Sequence, residues 1–159
     1  MIDPPPPPEA AGSSLLYSAE FYNAAKRRLK PKGILQAWCP AEADAATFQA
    51  AFRSLRESFP YVRCFQAVAK AGTHMLASME PIEIRKGAEL APRLPPQAIE
   101  DLLEWSLFLT PTDCLDYILA QEMPTEKVLD TTSHIRITDD RPYNEYFLLR
   151  RAGILNPWK

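Results

Sequence analysis

Two stretches near the start of the chain place apolar residues at the three- and four-residue spacing of a helix. The first stretch follows Ser18 and the second follows Asp44, and both residues can cap a helix. The apolar positions are Phe21, Ala25 and Leu29 in the first stretch and Phe48, Phe52, Leu55 and Phe59 in the second. The pattern predicts helices near 18–30 and 44–58, each ending before a proline.

Three short apolar or branched runs predict strands. The run Ile34–Cys39 stands between a glycine and a proline, and its mostly apolar character is typical of a strand buried on both faces of a parallel sheet. The runs Tyr61–Ala69 and Thr73–Met79 flank a glycine-containing turn, which predicts an antiparallel hairpin. We therefore expect Ile34–Cys39 as a central strand, with the hairpin beside it and the two helices against the sheet.

The second half of the chain is richer in proline and in short helical patterns. The predicted elements are a loop over 81–96 with one helical turn near 84–90, helices over 97–107 and 112–121, a helical turn at 124–129, and a turn followed by a strand-like run over 138–149. Thr112 or Asp113 is the expected cap of the second helix. We divide the chain into a core, residues 1–80, and a helical extension with a C-terminal strand-like segment, residues 81–159.

Composition and charge exclude several classes of function. With 159 residues, 47% of them hydrophobic, the chain can bury the core of one domain. A net charge of −2 supplies no basic field for nucleic acid, so we expect no nucleic-acid partner. No apolar run approaches the roughly 20 residues that span a bilayer, and no signal pattern opens the chain. These observations predict a cytoplasmic protein.

Cysteine and histidine are sparse and scattered. Three cysteines without CxxC spacing predict buried thiols in a reducing compartment rather than disulfides or a zinc site. The two histidines, His74 and His134, have no Cys or carboxylate at helical spacing beside them, so we predict no metal site.

The order of the predicted elements, strand end, loop, helix, strand, helix and hairpin, is that of the second half of a class I methyltransferase-type Rossmann fold. Asp3 after an apolar residue, the Pro-rich loop, LYSAEFYNAAKRRLKPKGILQAW and FPYVRCFQAVAKAGTHMLASM resemble the C-terminal half of the spermidine/spermine synthase family of aminopropyltransferases. The ending ITDDRPYNEYFLLRR resembles bacterial synthase-like proteins, some of which are fused to membrane transporter-like segments. The resemblance covers about residues 1–80 and 135–150. It implies an α/β fold with a central sheet, flanking helices and an antiparallel hairpin, and for the full-length protein an optional membrane tether.

The resemblance also implies a catalytic residue. In that family an Asp at the carboxyl end of the fourth strand acts on the amine nucleophile, while decarboxylated S-adenosylmethionine donates the aminopropyl group. Asp3 stands at the matching position, and a carboxylate suits the reaction because an amine must lose a proton to attack carbon. The family loop usually carries a second Asp three residues on, where this sequence has Pro6. That departure removes one of the two carboxylates expected to hold a polyamine.

The candidate residues for a substrate or cofactor pocket are Pro4, Tyr17, Trp38, Asp139 and Asp140. Two of these assignments have structural alternatives. Trp38 either stacks on a ligand or packs in the core, and the core is the commoner place for it. The Asp139-Asp140 pair either faces a substrate or forms a turn in which one of the two Asp side chains bonds the backbone and Arg141 pairs with an acid, and we favour the turn.

The five glycines of the chain form no GxGxxG turn of the kind that binds a nucleoside cofactor in this fold. We expect that turn to lie upstream of Met1, so that the chain is half of an enzyme fold and is inactive alone. No cofactor is then expected on this fragment, and decarboxylated S-adenosylmethionine or S-adenosylmethionine is implied for the full-length protein.

Two further functions remain open beside the transferase. The chain is alternatively a non-catalytic module that uses an exposed sheet edge to bind a partner, or an S-adenosylmethionine-dependent methyltransferase-like protein. The expected partners are a second copy in a homodimer, the missing N-terminal half, and a small-molecule amine in the full-length context.

Overall fold

The structure is a computed structural model that describes residues 6–104 and 106–154. These residues form four strands and seven α-helices. They are α1 (Ala19–Arg28), β1 (Ile34–Pro40), α2 (Ala45–Ser58), β2 (Tyr61–Gln66), β3 (Gly72–Ser78), α3 (Gly87–Leu90), α4 (Pro96–Glu104), α5 (Pro111–Leu119), β4 (Glu122–Met123), α6 (Thr125–Val128) and α7 (Phe147–Arg151). Short 3-10 turns occupy Ser13–Leu16, Val68–Lys70, Ala91–Arg93 and Tyr143–Tyr146. The protein is therefore an α/β structure.

The strands form one antiparallel sheet in the order β1-β3-β2-β4. β3 lies between β1 and β2 and is antiparallel to both, so that Met75 stands opposite Ala37 on one side and opposite Cys64 on the other. The strands β1 and β2 are consequently parallel to each other, and α2 connects them. The two residues of β4 extend the sheet beyond β2.

The prediction of a central strand buried on both faces of a parallel sheet is wrong for β1. Among the described strands β1 pairs only with β3, which is antiparallel to it, and it forms one end of the sheet. Its exposed and buried positions alternate, with Ile34 and Gln36 exposed and Cys39 buried. The sequence pattern predicted burial on both faces because Ile34 and Trp38 are apolar. Their face of the sheet is nevertheless only partly covered.

The predicted hairpin is confirmed, with a longer turn than expected. β2 ends at Gln66 rather than Ala69, and the 3-10 turn Val68–Lys70 follows it. Ala69 and Lys70 have positive φ angles, and the Ala67 amide donates to the Gly72 carbonyl over 2.8 Å to close the turn. Two consecutive residues with positive φ cannot extend a strand, and this geometry ends β2 early.

The two predicted helices and both predicted caps are confirmed. The Ser18 hydroxyl accepts from the Phe21 amide over 3.1 Å, and the Asp44 carboxylate accepts from the Thr47 amide over 3.0 Å. The apolar sides of α1 and α2 pack against one face of the sheet. The buried residues of this core are Tyr22, Cys39, Phe52, Leu55, Phe59, Cys64, Met75 and Ala77.

A second core lies on the other side of α2. Small residues on that side, Ala50, Ala51 and Ser54, let the segment around Ile137 approach the helix closely. The Ser54 hydroxyl accepts from the Ile137 amide over 2.8 Å, and the Ile137 side chain packs with Tyr17. Residues from the two ends of the chain therefore meet on the outer surface of α2.

Helices dominate the second half as predicted, with two corrections. The cap of α5 is Thr110, whose hydroxyl accepts from the Asp113 amide over 3.1 Å, rather than Thr112 or Asp113. The strand-like run over 138–149 is wrong: a bridged turn over 138–141 leads into the 3-10 turn Tyr143–Tyr146 and then α7.

The helical geometry of this last segment has a physical reason. Tyr143, Phe147 and Arg150 recur at helical spacing and line one cleft beside Asp44. That spacing places the three side chains on one side of a helical segment, whereas a strand would send neighbouring positions to opposite faces.

The three cysteines are free and buried, as the sequence predicts. Burial raises the pKa of the Cys39 and Cys64 thiols to about 12, so both stay protonated at neutral pH. No helix within residues 6–104 and 106–154 combines the length and the apolar character needed to cross a bilayer.

Candidate functional site

The Pro-rich segment is built into the fold from Pro6 onward. The Tyr17 hydroxyl donates to the Pro6 carbonyl over 2.9 Å. The Ser13 hydroxyl and the Asn144 amide both donate to the Pro8 carbonyl over 2.5 Å, and the Asn144 amide also donates to the Ser13 hydroxyl over 2.9 Å. Ser13, Asn144 and Tyr17 are all buried. The segment therefore has tertiary contacts that a disordered tag would lack.

This segment lies where β1 ends. The Glu9 carboxylate accepts from the Asp44 amide over 2.7 Å, and Asp44 caps α2 four residues after β1 ends at Pro40. We call the region formed by residues 6–17, 41–44 and 138–150 the carboxyl edge. In α/β proteins with parallel strands, ligands bind in crevices at the carboxyl ends of those strands, and β1 and β2 are such a parallel pair.

Arg150 fastens the C-terminal helix to this edge. Its guanidinium donates to the Thr47 hydroxyl over 3.0 Å and lies 3.4 Å from the Asp44 carboxylate. The same group stands 3.6 Å above the centre of the Tyr143 ring. A cation between a carboxylate and an aromatic face is held from two directions, which fixes α7 against the start of α2.

Carboxylates outnumber cations among the residues that hold the carboxyl edge together. Three carboxylates each accept a hydrogen bond from a backbone amide. Glu9 accepts from Asp44, Glu20 accepts from Asp139, and Glu145 accepts from Ser14. Burial alone would raise the pKa of Glu145, but hydrogen bonds from Ser14 and Gly12 lower it below its ordinary value. Glu145 is thus anionic at neutral pH, and an edge with excess negative charge suits a cationic ligand better than an anionic one.

Asp3 and Pro4, the predicted catalytic residue and its neighbour, lie outside the described residues. Tyr17 is buried, with 1% of its surface exposed. Burial, with smaller contributions from Cys39 and Glu9, raises the pKa of Tyr17. The hydroxyl therefore stays protonated and serves as the donor that holds the Pro-rich segment.

Trp38 lies on the face of the sheet opposite Tyr17. In register it stands opposite His74, on the face away from the core, and it is half-buried. A Cβ atom at Gly72 would lie 2.9 Å from the indole nitrogen, so the ring rests against the start of β3. The structure does not bring Trp38 together with Tyr17, nor does it place Trp38 in the core.

Asp139 and Asp140 occupy an exposed turn. The Asp140 carboxylate accepts from the Thr138 hydroxyl over 2.7 Å, and this bond holds the pKa of Asp140 below its ordinary value. The Asp139 amide donates to the Glu20 carboxylate over 3.0 Å, which places the turn beside the start of α1. The two residues therefore lie in a turn, which the Asp140 carboxylate closes through the Thr138 hydroxyl.

Several residues that hold the carboxyl edge were not predicted. Glu9, Asn144, Glu145 and Arg150 are in stretches that carry no catalytic motif. The one signal in the sequence was the polar pair Asn144-Glu145 between aromatic residues, because polar residues that become buried in such runs are usually hydrogen-bonded.

His74 is used structurally. Its Nδ1 lies 3.0 Å from the Gln36 amide nitrogen, and burial lowers its pKa, which favours the neutral ring. Across the ranges that the structure describes, no three His, Cys, Asp or Glu side chains are placed to hold a metal ion.

Comparison with known proteins gives no family for this chain. A search against known protein families found no match for the sequence, and a search of curated proteins found no match either.

Proposed function

We propose that this chain is a spermidine-synthase-like domain that contributes the amine-binding side of an aminopropyltransferase site. The observation that carries the proposal is the Pro-rich segment fastened at the carboxyl end of β1 by Tyr17, Ser13 and Asn144. Asp3 directly precedes the proline run in the sequence.

The connection of the strands also supports the proposal. The order α1, β1, α2 and hairpin, with β1 and β2 parallel and β3 antiparallel between them, fits the second half of a class I methyltransferase-type Rossmann fold. In that arrangement α1 and α2 begin at the edge where ligands bind. The surplus of carboxylates at this edge favours a protonated amine.

The chemistry assigned to this chain is deprotonation and orientation of the acceptor amine. The Asp3 carboxylate takes a proton from the ammonium form, and the nitrogen lone pair then attacks the methylene carbon next to the donor's sulfonium sulfur. The carbon–sulfur bond breaks as the carbon–nitrogen bond forms, and the donor leaves as a neutral thioether. Residues that hold the donor's nucleoside are not assigned to this chain, because its glycines form no GxGxxG turn.

Loss of the Asp3 charge is expected to weaken amine binding. Asp3→Asn should bind putrescine about tenfold more weakly than the unmodified protein, because a hydrogen bond to a charged group contributes about 1.5–3 kcal/mol and tenfold is 1.4 kcal/mol. Isothermal titration calorimetry at low salt measures the difference.

A matched control and a gain-of-function variant sharpen this experiment. Asp101→Asn removes an exposed carboxylate from α4 and should leave the affinity unchanged. Pro6→Asp restores the second carboxylate of the family loop and should tighten binding. The proposal fails if putrescine does not bind at millimolar concentration, or if Asp3→Asn and Asp101→Asn behave alike.

One observation favours a second function, a protein-interaction module. Among the described strands, the edge of β1 that faces away from β3 has no partner, and an unpaired edge can pair with a strand of another chain. A symmetric dimer would cover the same edge of both copies at once.

Self-association is the expected result for such a module. Light scattering at low micromolar concentration should then give twice the 18.0 kDa mass of the chain, through an interface above roughly 1,000 Å². Dilution should shift the mass toward the monomer. A mass of 18.0 kDa that stays constant with concentration would rule out the interaction module as a homodimer.

A further inference from the structure

A cleft of about 400 Å³ lies on the face of the sheet opposite α1 and α2. Its floor comes from three neighbouring strands, with Ile34 from β1, Leu76 from β3 and Phe65 from β2. Its wall comes from the segment 80–93 and from Leu119 at the end of α5. The volume is within the range of sites for small molecules, which are also mostly apolar with a few polar groups.

This cleft is separate from the carboxyl edge. It includes Lys32 and Ile34 at the amino end of β1, whereas the carboxyl edge begins beyond Pro40 at the other end of the same strand. It also opens on the opposite face of the sheet from Tyr17 and the helices. A ligand in the cleft would therefore not occupy the proposed amine site.

Of the described residues that line the cleft, four are cations, and two of these are already paired. The Arg63 guanidinium donates twice to the Glu122 carboxylate, over 2.7 Å each time. Arg85 pairs with Glu83. A guanidinium held by two parallel bonds to a carboxylate is neutralised and has little attraction left for a ligand.

The other two cations remain available. Neither the Lys32 ammonium nor the Arg93 guanidinium forms an ion pair or a hydrogen bond with any residue in the described ranges. The remaining acid of the lining, Glu80, accepts from the Lys32 backbone amide over 2.9 Å. Counted over the described residues, two unpaired positive charges against one such carboxylate give the cleft a net positive charge above an apolar floor.

We infer that this cleft binds a small-molecule anion with a flat apolar body, whose carboxylate or phosphate group is neutralised by Lys32 and Arg93. The body would lie on the pleated surface formed by Ile34 and Leu76, since a sheet face is nearly flat over this distance. The two cations favour a ligand with a negative charge, and the apolar floor favours a ligand with a flat apolar body. This inference does not depend on the proposed function.

Methyl NMR of the whole chain tests where such a ligand binds. The probes are 2-naphthoate, 2-naphthyl phosphate and the neutral 2-naphthol, added to protein with labelled isoleucine methyl groups. The anions should shift the signals of Ile34 and Ile82, which line the cleft, and leave that of Ile137 in place on the far side of the sheet. The phosphate and carboxylate probes show which anionic group the cleft prefers.

Charge-removing variants test why the ligand binds. The double variant Lys32→Asn with Arg93→Gln should bind the preferred anion at least about tenfold more weakly and bind 2-naphthol as before. Asn suits position 32 because Lys32 has a φ of 59°, a region that Asn tolerates. The control Arg27→Gln with Arg28→Gln removes the same charge from α1, on the other side of the sheet, and should change neither affinity.

The results that support the inference differ from those that contradict it. An unshifted Ile137 signal shows that each variant is folded. The inference is overturned if neither anion shifts Ile34 and Ile82, if 2-naphthol binds as tightly as the anions, or if the two double variants bind the anions equally. Selective loss of anion binding in the Lys32 and Arg93 variant supports it.

Discussion

Gly72→Ala is expected to destabilise the protein by about 3 kcal/mol, at the upper end for overpacking of a tight site. A Cβ atom at position 72 would lie 2.3 Å from the Cys39 carbonyl oxygen and 3.1 Å from the Pro40 Cα atom. Both are backbone atoms of β1, so no flexible side chain can move aside. The start of β3 would have to separate from the end of β1, and pairing across the sheet would be lost there.

Urea unfolding followed by circular dichroism measures this loss. Gly153→Ala is the matched control, because Gly153 has a φ of 69° and, apart from its chain neighbours, no atom of the described residues lies within 4 Å of its added Cβ. That variant should lose only the cost of the left-handed backbone, about 1 kcal/mol. Equal losses for the two variants would show that β1 and β3 do not approach as closely as the structure has them.

Asn144→Asp is expected to have the second large effect, about 3 kcal/mol at neutral pH. The Asn144 amide group donates to the Pro8 carbonyl and the Ser13 hydroxyl in a buried site. A carboxylate of the same shape would place a charged acceptor against the Pro8 carbonyl. The nearby Ser13 hydroxyl already donates its proton to that carbonyl, so the buried charge would compete for this donor, which is costly.

The loss should depend on pH with a definite sign. Burial against an acceptor raises the pKa of the new carboxyl in the folded state above its unfolded value. The protonated form can donate to the Pro8 carbonyl, so the deficit shrinks as the pH falls through the folded pKa and is full at neutral pH. Urea unfolding at pH 4 and pH 7 tests this sign.

Limited proteolysis gives an independent measure of the same contact. Cleavage within residues 6–17 should become faster in Asn144→Asp, because the Pro-rich segment loses a fastening point. Asn23→Asp makes the same chemical change on half-buried α1 and should stay within about 0.5 kcal/mol of the unmodified protein. If both variants lose the same stability, Asn144 does not hold the segment.

Local signals in the sequence were sufficient for the first two helices and the hairpin. Ser18 and Asp44 cap α1 and α2 through residues only three positions away, and such contacts can be inferred from spacing alone. The position of β1 at one end of the described sheet could not be inferred from spacing. Whether Ile34 faces a covering layer depends on which strand pairs beside it, and Ser78, its partner in register, lies far along the chain.

The carboxyl edge was predictable only in outline. The resemblance pointed to the Pro-rich stretch, but several of the groups that hold it come from the far end of the chain. Asn144 reaches Pro8 across 136 positions, and Glu145 reaches Ser14 across 131. Contacts at this separation leave no periodic trace in the sequence, which also explains why the run containing them was mistaken for a strand.

The position of β3 between β1 and β2 has a consequence for synthesis of the protein on the ribosome. Among the described strands β1 pairs with β3, so this partner is absent from the time β1 is complete at Pro40 until Ser78 has been added. At 5–20 residues per second this interval lasts roughly 2 to 8 s. During that time the apolar side chains of β1 and α1 lack the sheet that will cover them. We therefore expect the segment from α1 to β1 to benefit from chaperone protection during this interval of synthesis.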